Sequence, residues 1–106
     1  MEQVKELTNF YSAIREDHRI GTTHISIYMA LFQFYNLNGF RNPIEITRTS
    51  VMEVAKISGL ATYHKCIKDL NDFGYIQYKP SYNPAISSQV HLLKVDETSD
   101  RKGIDG

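Results

Sequence analysis

Val4, Leu7, Tyr11 and Ile14 recur at spacings of three and four, with Phe10 beside them, and predict a helix with one apolar stripe over residues 3–15. Gly21 and the Thr22-Thr23 pair then break the chain and offer an N-cap. From His24 to Leu37 two stripes interleave: Ile25, Tyr28, Met29, Phe32 and Tyr35 form one, and Ile27, Leu31 and Phe34 the other. A helix that is apolar on nearly every side belongs in the middle of a domain. Asn36-Leu37-Asn38-Gly39 ends it with a glycine stop, and Pro43 marks the loop beyond. The alternation in Ile44-Glu45-Ile46-Thr47 predicts a very short strand.

Ser50-Val51-Met52-Glu53 fits a capping box, in which the serine caps a backbone amide and the glutamate reaches back. It predicts a short helix through Ile57, with Val51, Val54, Ala55 and Ile57 as its apolar contacts. Ser58-Gly59-Leu60 reads as a turn, with Gly59 supplying the left-handed bend. Thr62 then caps a helix whose inner face is Tyr63, Cys66, Ile67, Leu70 and Phe73, closed by Gly74. Tyr75 to Lys79 reads as a strand and residues 89–95 as its return, around the turn-rich Pro80-Ser81-Tyr82-Asn83-Pro84. Past Val95 the chain is polar and patternless. The expected organisation is an N-terminal helix (1–20), a main domain (21–95) and a polar tail (96–106), with no internal repeat.

The order helix, helix, short strand, helix, turn, helix, hairpin resembles a winged helix-turn-helix. The residues that carry the resemblance are Ser50-Val51-Met52-Glu53-Val54-Ala55-Lys56-Ile57-Ser58-Gly59-Leu60, then Thr62-Tyr63-His64-Lys65-Cys66-Ile67-Lys68-Asp69-Leu70, then Phe73-Gly74-Tyr75-Ile76. More loosely, the chain is similar to small regulators of bacterial mobile elements and to N-terminal domains of phage and plasmid replication initiators. The resemblance implies an α+β fold: a three-helix core, a short strand and a C-terminal β-hairpin wing, to which this chain adds an N-terminal helix. It also implies sequence-specific binding of double-stranded DNA, most naturally in transcriptional regulation. A replication-initiator module, or a winged helix that binds protein instead of DNA, are the alternatives. The chain departs from the family pattern in two places. The stretch from Gly59 to Gly74 is about two residues short, and the hairpin tip lacks the arginine that many relatives place in the minor groove.

At 100° per residue, Ala61, His64, Lys65, Lys68 and Asp72 fall opposite the inner face of the second motif helix. A small residue, a histidine and two lysines at the front of an exposed helix suit the major groove. Ala61, Thr62, His64, Lys65 and Lys68 are therefore candidate DNA contacts, while Asp69 and Asp72 oppose phosphate toward the helix end. Arg48, Thr49 and Ser50, at the start of the preceding helix, are placed to meet a phosphate. Lys79, Tyr82 and Asn83 on the hairpin are candidates for backbone contact.

Composition changes this picture little. Among 106 residues, twelve Lys+Arg balance twelve Asp+Glu. The balance is uneven, however: net −1 over residues 1–20, +3 over 21–95 and −2 beyond. A mildly basic body between acidic ends permits a basic face. One cysteine excludes a disulfide framework and points to a reducing compartment. The first residues lack the pattern of a signal peptide, and the longest apolar run, Ile27 to Phe32, is far below the ~20 residues of a membrane span. The expectation is a soluble cytoplasmic domain without a membrane partner.

Catalytic and metal constellations are missing from the pattern. His64 and Cys66 lie about 200° apart on a helix and cannot face each other. The four histidines, His18, His24, His64 and His91, fall in unrelated elements without metal-ligand spacing. No glycine loop cradles a phosphate, so neither an enzyme, a cofactor, a metal nor a small-molecule ligand is expected. Of the aromatic residues, Phe10, Tyr11, Tyr28, Phe32, Phe34, Tyr35, Tyr63 and Phe73 are assigned to core stripes. The N-terminal helix is surplus to the winged fold. Its stripe of Val4, Leu7, Tyr11 and Ile14 either forms a homodimer seam or folds back on its own domain.

Overall fold

A computed structural model describes residues 2–81 and 87–93. The order of elements is α1 (Glu2–Arg15), α2 (Thr22–Leu37), β1 (Ile44–Ile46), α3 (Arg48–Ala55), α4 (Leu60–Asp72), β2 (Ile76–Lys79) and β3 (Ser88–Leu92). The protein is thus α+β, with four helices and a three-stranded antiparallel sheet in the order β1-β3-β2. None of the described helices is long and apolar enough to cross a membrane. Two compact units are present: α1 belongs to one, and residues 22–93 form the other. The expected tail, with Val95 before it, lies outside the described residues, as do Tyr82 and Asn83.

Within α1, Phe10 is fully buried and sets its ring edge-on to Tyr11, 5.5 Å between centroids. Tyr11 itself is 42% exposed and so is not the core residue that the stripe predicts. After the helix, Asp17 accepts two side-chain bonds from Arg19, at 2.7 and 2.8 Å, and closes the turn toward Ile20.

In the second unit α2 is the hub, packing against α3, α4, β1 and β3. Its interleaved stripes explain this: Ile27, Tyr28, Ala30, Leu31 and Tyr35 are all buried, so several faces are covered at once. Tyr35 packs edge-on against Phe40 at 5.5 Å, where the chain turns through Gly39 and Phe40, both at positive φ. The loop that follows is fixed by Asn42, which donates to the Leu92 carbonyl (3.0 Å) and accepts from the Leu92 amide (2.9 Å). One side chain therefore replaces a rung of backbone pairing at the end of β3. In the sheet, Ile44 pairs with Val90 and Ile76 with Leu92, and these four side chains line its buried face.

The start of α3 differs from the capping box at Ser50. Thr47 is the N-cap: its Oγ1 accepts from the Ser50 amide at 3.2 Å and donates to Ser50 Oγ at 2.8 Å. Because β1 ends at Ile46, Thr47 is extended and free to cap, which moves the helix start three residues upstream. The helix also ends earlier than Ile57, at Ala55, and Val54 is 47% exposed instead of packed. The left-handed residue after it is Lys56 (φ 63°), whose amide donates to the Glu53 and Met52 carbonyls; Gly59 is extended. Thr62 is likewise not a cap. α4 begins at Leu60 with Gly59 as a cap that makes no side-chain bond, so Thr62 lies inside the first turn.

The inner face of α4 is as the spacing predicts: Tyr63, Cys66, Ile67 and Leu70 are all buried, while Phe73 is half-buried. Leu70→Ala should cost about 2–5 kcal/mol in a denaturant or thermal unfolding experiment, because it removes a completely buried side chain. Thr47→Ala should cost about 1 kcal/mol, and more than Ser50→Ala; the reverse order would return the cap to Ser50.

Candidate nucleic-acid interface

Two helices joined by a short turn, α3 and α4, each pack on α2. The turn is tied to the hub where Ser26 donates its hydroxyl to the Ala55 carbonyl. Ala55 is buried at the end of α3, so the small side chain lets this end approach α2 closely. With its inner face buried, α4 turns Leu60, Ala61, Thr62, His64, Lys65, Lys68 and Asp72 to solvent. Ala61, Thr62, His64, Lys65 and Lys68 are thereby gathered on one exposed helix surface. Leu60, which the sequence pattern places in the turn, is 46% exposed at the leading end of this face.

Arg48 and Thr49, at the start of α3, are exposed, and Ser50 is half-buried and bonded to the Thr47 cap. Arg48 lies within electrostatic reach of Tyr63 on α4. Burial, helped by nearby Tyr78 and opposed by Arg48, pushes the Tyr63 phenol up to about 12. Tyr63 is thus a neutral core residue whose ring also stands edge-on to exposed His64, at 5.4 Å. Lys79 is exposed at the end of β2, paired opposite Gln89. The sheet is anchored to α4, because the Tyr78 amide donates to Asn71 Oδ1 at 2.8 Å.

The two lysines of the α4 surface carry their own counter-ions. Lys65 Nζ donates to Asp69 Oδ2 at 2.9 Å, and Lys68 Nζ donates to Asp72 Oδ2 at 2.7 Å. These hydrogen bonds hold both ammonium groups above the ordinary lysine range and both carboxyls below the ordinary aspartate range. Solvent screens both pairs, since the lysines are largely exposed. Asp69 differs from Asp72 in having a partner in the core: His24 Nε2 on α2 lies 2.8 Å from the same Oδ2 that Lys65 holds. That contact is the largest cause of the lowered Asp69 pKa. The (i, i+4) lysine–aspartate spacing is visible in the sequence, whereas the His24–Asp69 contact, across 45 positions, is not.

Cys66 is buried, and burial pushes its thiol up, away from a nucleophilic thiolate. Among the described residues no cluster of three or more His, Cys, Asp or Glu is arranged to hold a metal ion. The fold and surface define an α+β domain that presents one helix, with a mixed lysine–aspartate surface, to solvent. No protein-family model matches the chain, and neither a curated protein nor a solved structure does.

The lowered Asp69 pKa sets a sign for acid stability. A carboxyl depressed in the folded state stabilises the fold above its unfolded value, near pH ~4, and that contribution is lost as pH falls through the lower folded value. Asp69→Asn should remove this part of the acid dependence, measured as melting temperature against pH. An unchanged profile would mean that the His24–Asp69–Lys65 contact does not couple to folding.

Proposed function

We propose that this chain is a winged helix-turn-helix domain that binds double-stranded DNA through the exposed surface of α4, as a transcriptional regulator. One observation carries the reading: the helix that follows a short turn has its inner face locked into the core and its outer face led by Ala61, Thr62, His64, Lys65 and Lys68. Small and hydroxyl side chains allow close approach to base edges, His64 can donate to one, and the lysines meet phosphates. The strand order β1-β3-β2, with β1 leading into α3 and the β2–β3 pair following α4, supports the winged reading. Arg48 and Thr49 would meet the backbone from the start of α3, and Lys79 from the hairpin. A DNA-binding module of a replication initiator would use the same surface.

A second reading is favoured by the ion pairs. Lysines already paired with Asp69 and Asp72 leave little free positive charge, as expected of a winged helix that binds a protein surface. Salt separates the two. In the DNA reading, Lys65→Ala and Lys68→Ala each weaken duplex binding on every sequence and lower the slope of log K against log salt by about 0.9. His64→Ala relaxes preference at a single base position by about 1–3 kcal/mol. Affinity unchanged by all three substitutions at low salt would favour the protein-binding reading.

The α1 stripe enters here as a homodimer seam that would pair two such helices on half-sites about 34–36 Å apart. Val4 and Tyr11 are exposed, while Leu7 and Ile14 are half-buried, which leaves two of the four for a partner chain. Light scattering at high micromolar concentration should give a dimer that Tyr11→Glu converts to a monomer. A monomeric parent chain excludes the seam.

A further inference from the structure

The α4 surface holds two lysine–aspartate pairs of identical spacing that differ in one respect. Asp72 is 45% exposed, and besides Lys68 its side chain meets the neighbouring Asn71 amide at 3.4 Å. It can turn into water when its lysine leaves. Asp69 is 20% exposed and is gripped from the core by His24, itself only 11% exposed, through the oxygen that Lys65 also uses. Its carboxylate cannot follow Lys65 outward or swing away from it. α2 carries no Asp, Glu, Lys or Arg, so His24 is its one side chain that can carry a charge near neutral pH. Both lysines are largely exposed, so the pairs differ in the anchoring of Asp69 by His24 and not in the screening of the lysines.

We propose that Asp69, fixed in place by His24, is an internal competitor of DNA phosphate for Lys65 and so restrains the affinity of the α4 surface. The inference rests on the DNA reading of that surface. Phosphate binding at Lys65 is then an exchange of partners: the ammonium leaves Asp69 Oδ2 and takes a phosphate oxygen, while the carboxylate stays hydrogen-bonded to His24. Asp69 is a positioning residue in this scheme. It touches no DNA itself and sets how much of the Lys65 charge is available.

The test is a double-mutant cycle on the full chain, read by duplex binding over a range of salt. Asp69→Asn keeps an oxygen that can accept from His24 and removes the charge, so the fold should persist; circular dichroism and a thermal melt check this. Asp69→Asn should tighten binding roughly two- to five-fold at low salt, the scale of an exposed ion pair. It should also steepen the salt slope, and its effect should exceed that of Asp72→Asn. In a Lys65→Ala background the gain should vanish. A gain of equal size without Lys65 would mean that Asp69 merely repels DNA, and would overturn the proposal. An effect of Asp72→Asn as large as that of Asp69→Asn would remove the role of His24 and overturn it too. If Lys65→Ala weakens binding while Asp69→Asn is neutral, the inference alone fails. If the parent chain binds no duplex at low salt, the DNA reading fails and takes the inference with it.

Discussion

Everything in the main unit depends on the burial of α2. A sixteen-residue helix without a single Asp, Glu, Lys or Arg is not stable in water on its own surface, and its only low-energy place is under other elements. α3, α4, β1 and β3 all pack on it. The arrangement leaves α4 with one face in the core and one outside, and so determines which of its side chains are available to a partner. Fully burying Ile27 and Leu31 contributes about 1.5–3 kcal/mol each, more than any exposed ion pair on α4 can offer.

Polar contacts then refine what burial has arranged. His24 reaches from the start of α2 to Asp69, Ser26 two residues on holds the end of α3, and Asn42 closes the loop onto β3. Each links elements distant in sequence, and each satisfies a polar group that the packing would otherwise strand. His91 is different: its Nδ1 is buried on the central strand with no hydrogen-bond partner among the described residues. The contacts of His24 and Ser26 lie on α4 and α3, so the hub fixes both the position of α4 and the state of one of its carboxylates.

The sequence pattern carries the elements well and their ends poorly. The inner face of α4 is legible because Tyr63, Cys66, Ile67 and Leu70 keep helical spacing over two turns. The cap of α3 is not, because Thr47 and Ser50 both precede the helix at plausible distances. What decides between them is where β1 stops, and strand ends are set by pairing with β3. The left-handed Lys56 defeats a glycine-based reading for a similar reason: the turn closes on the Glu53 and Met52 carbonyls before Gly59 is reached. Apolar character alone places Val54 inside, but an eight-residue helix resting on α2 buries a narrower stripe, Val51 and Ala55. On the surface, the lysines and the aspartates one turn beyond them were visible. The anchoring of Asp69 by His24 was not, since nothing local relates the two residues.

The claim that joins fold to function is that the outer face of α4 is where duplex DNA binds. Titrating isotopically labelled protein with a short duplex at low salt, and following backbone amide signals, tests it. The largest perturbations should fall on Ala61, Thr62, His64, Lys65 and Lys68, with smaller ones at Arg48 and Thr49. Perturbations confined to α1 or the sheet, or none at all, would contradict it.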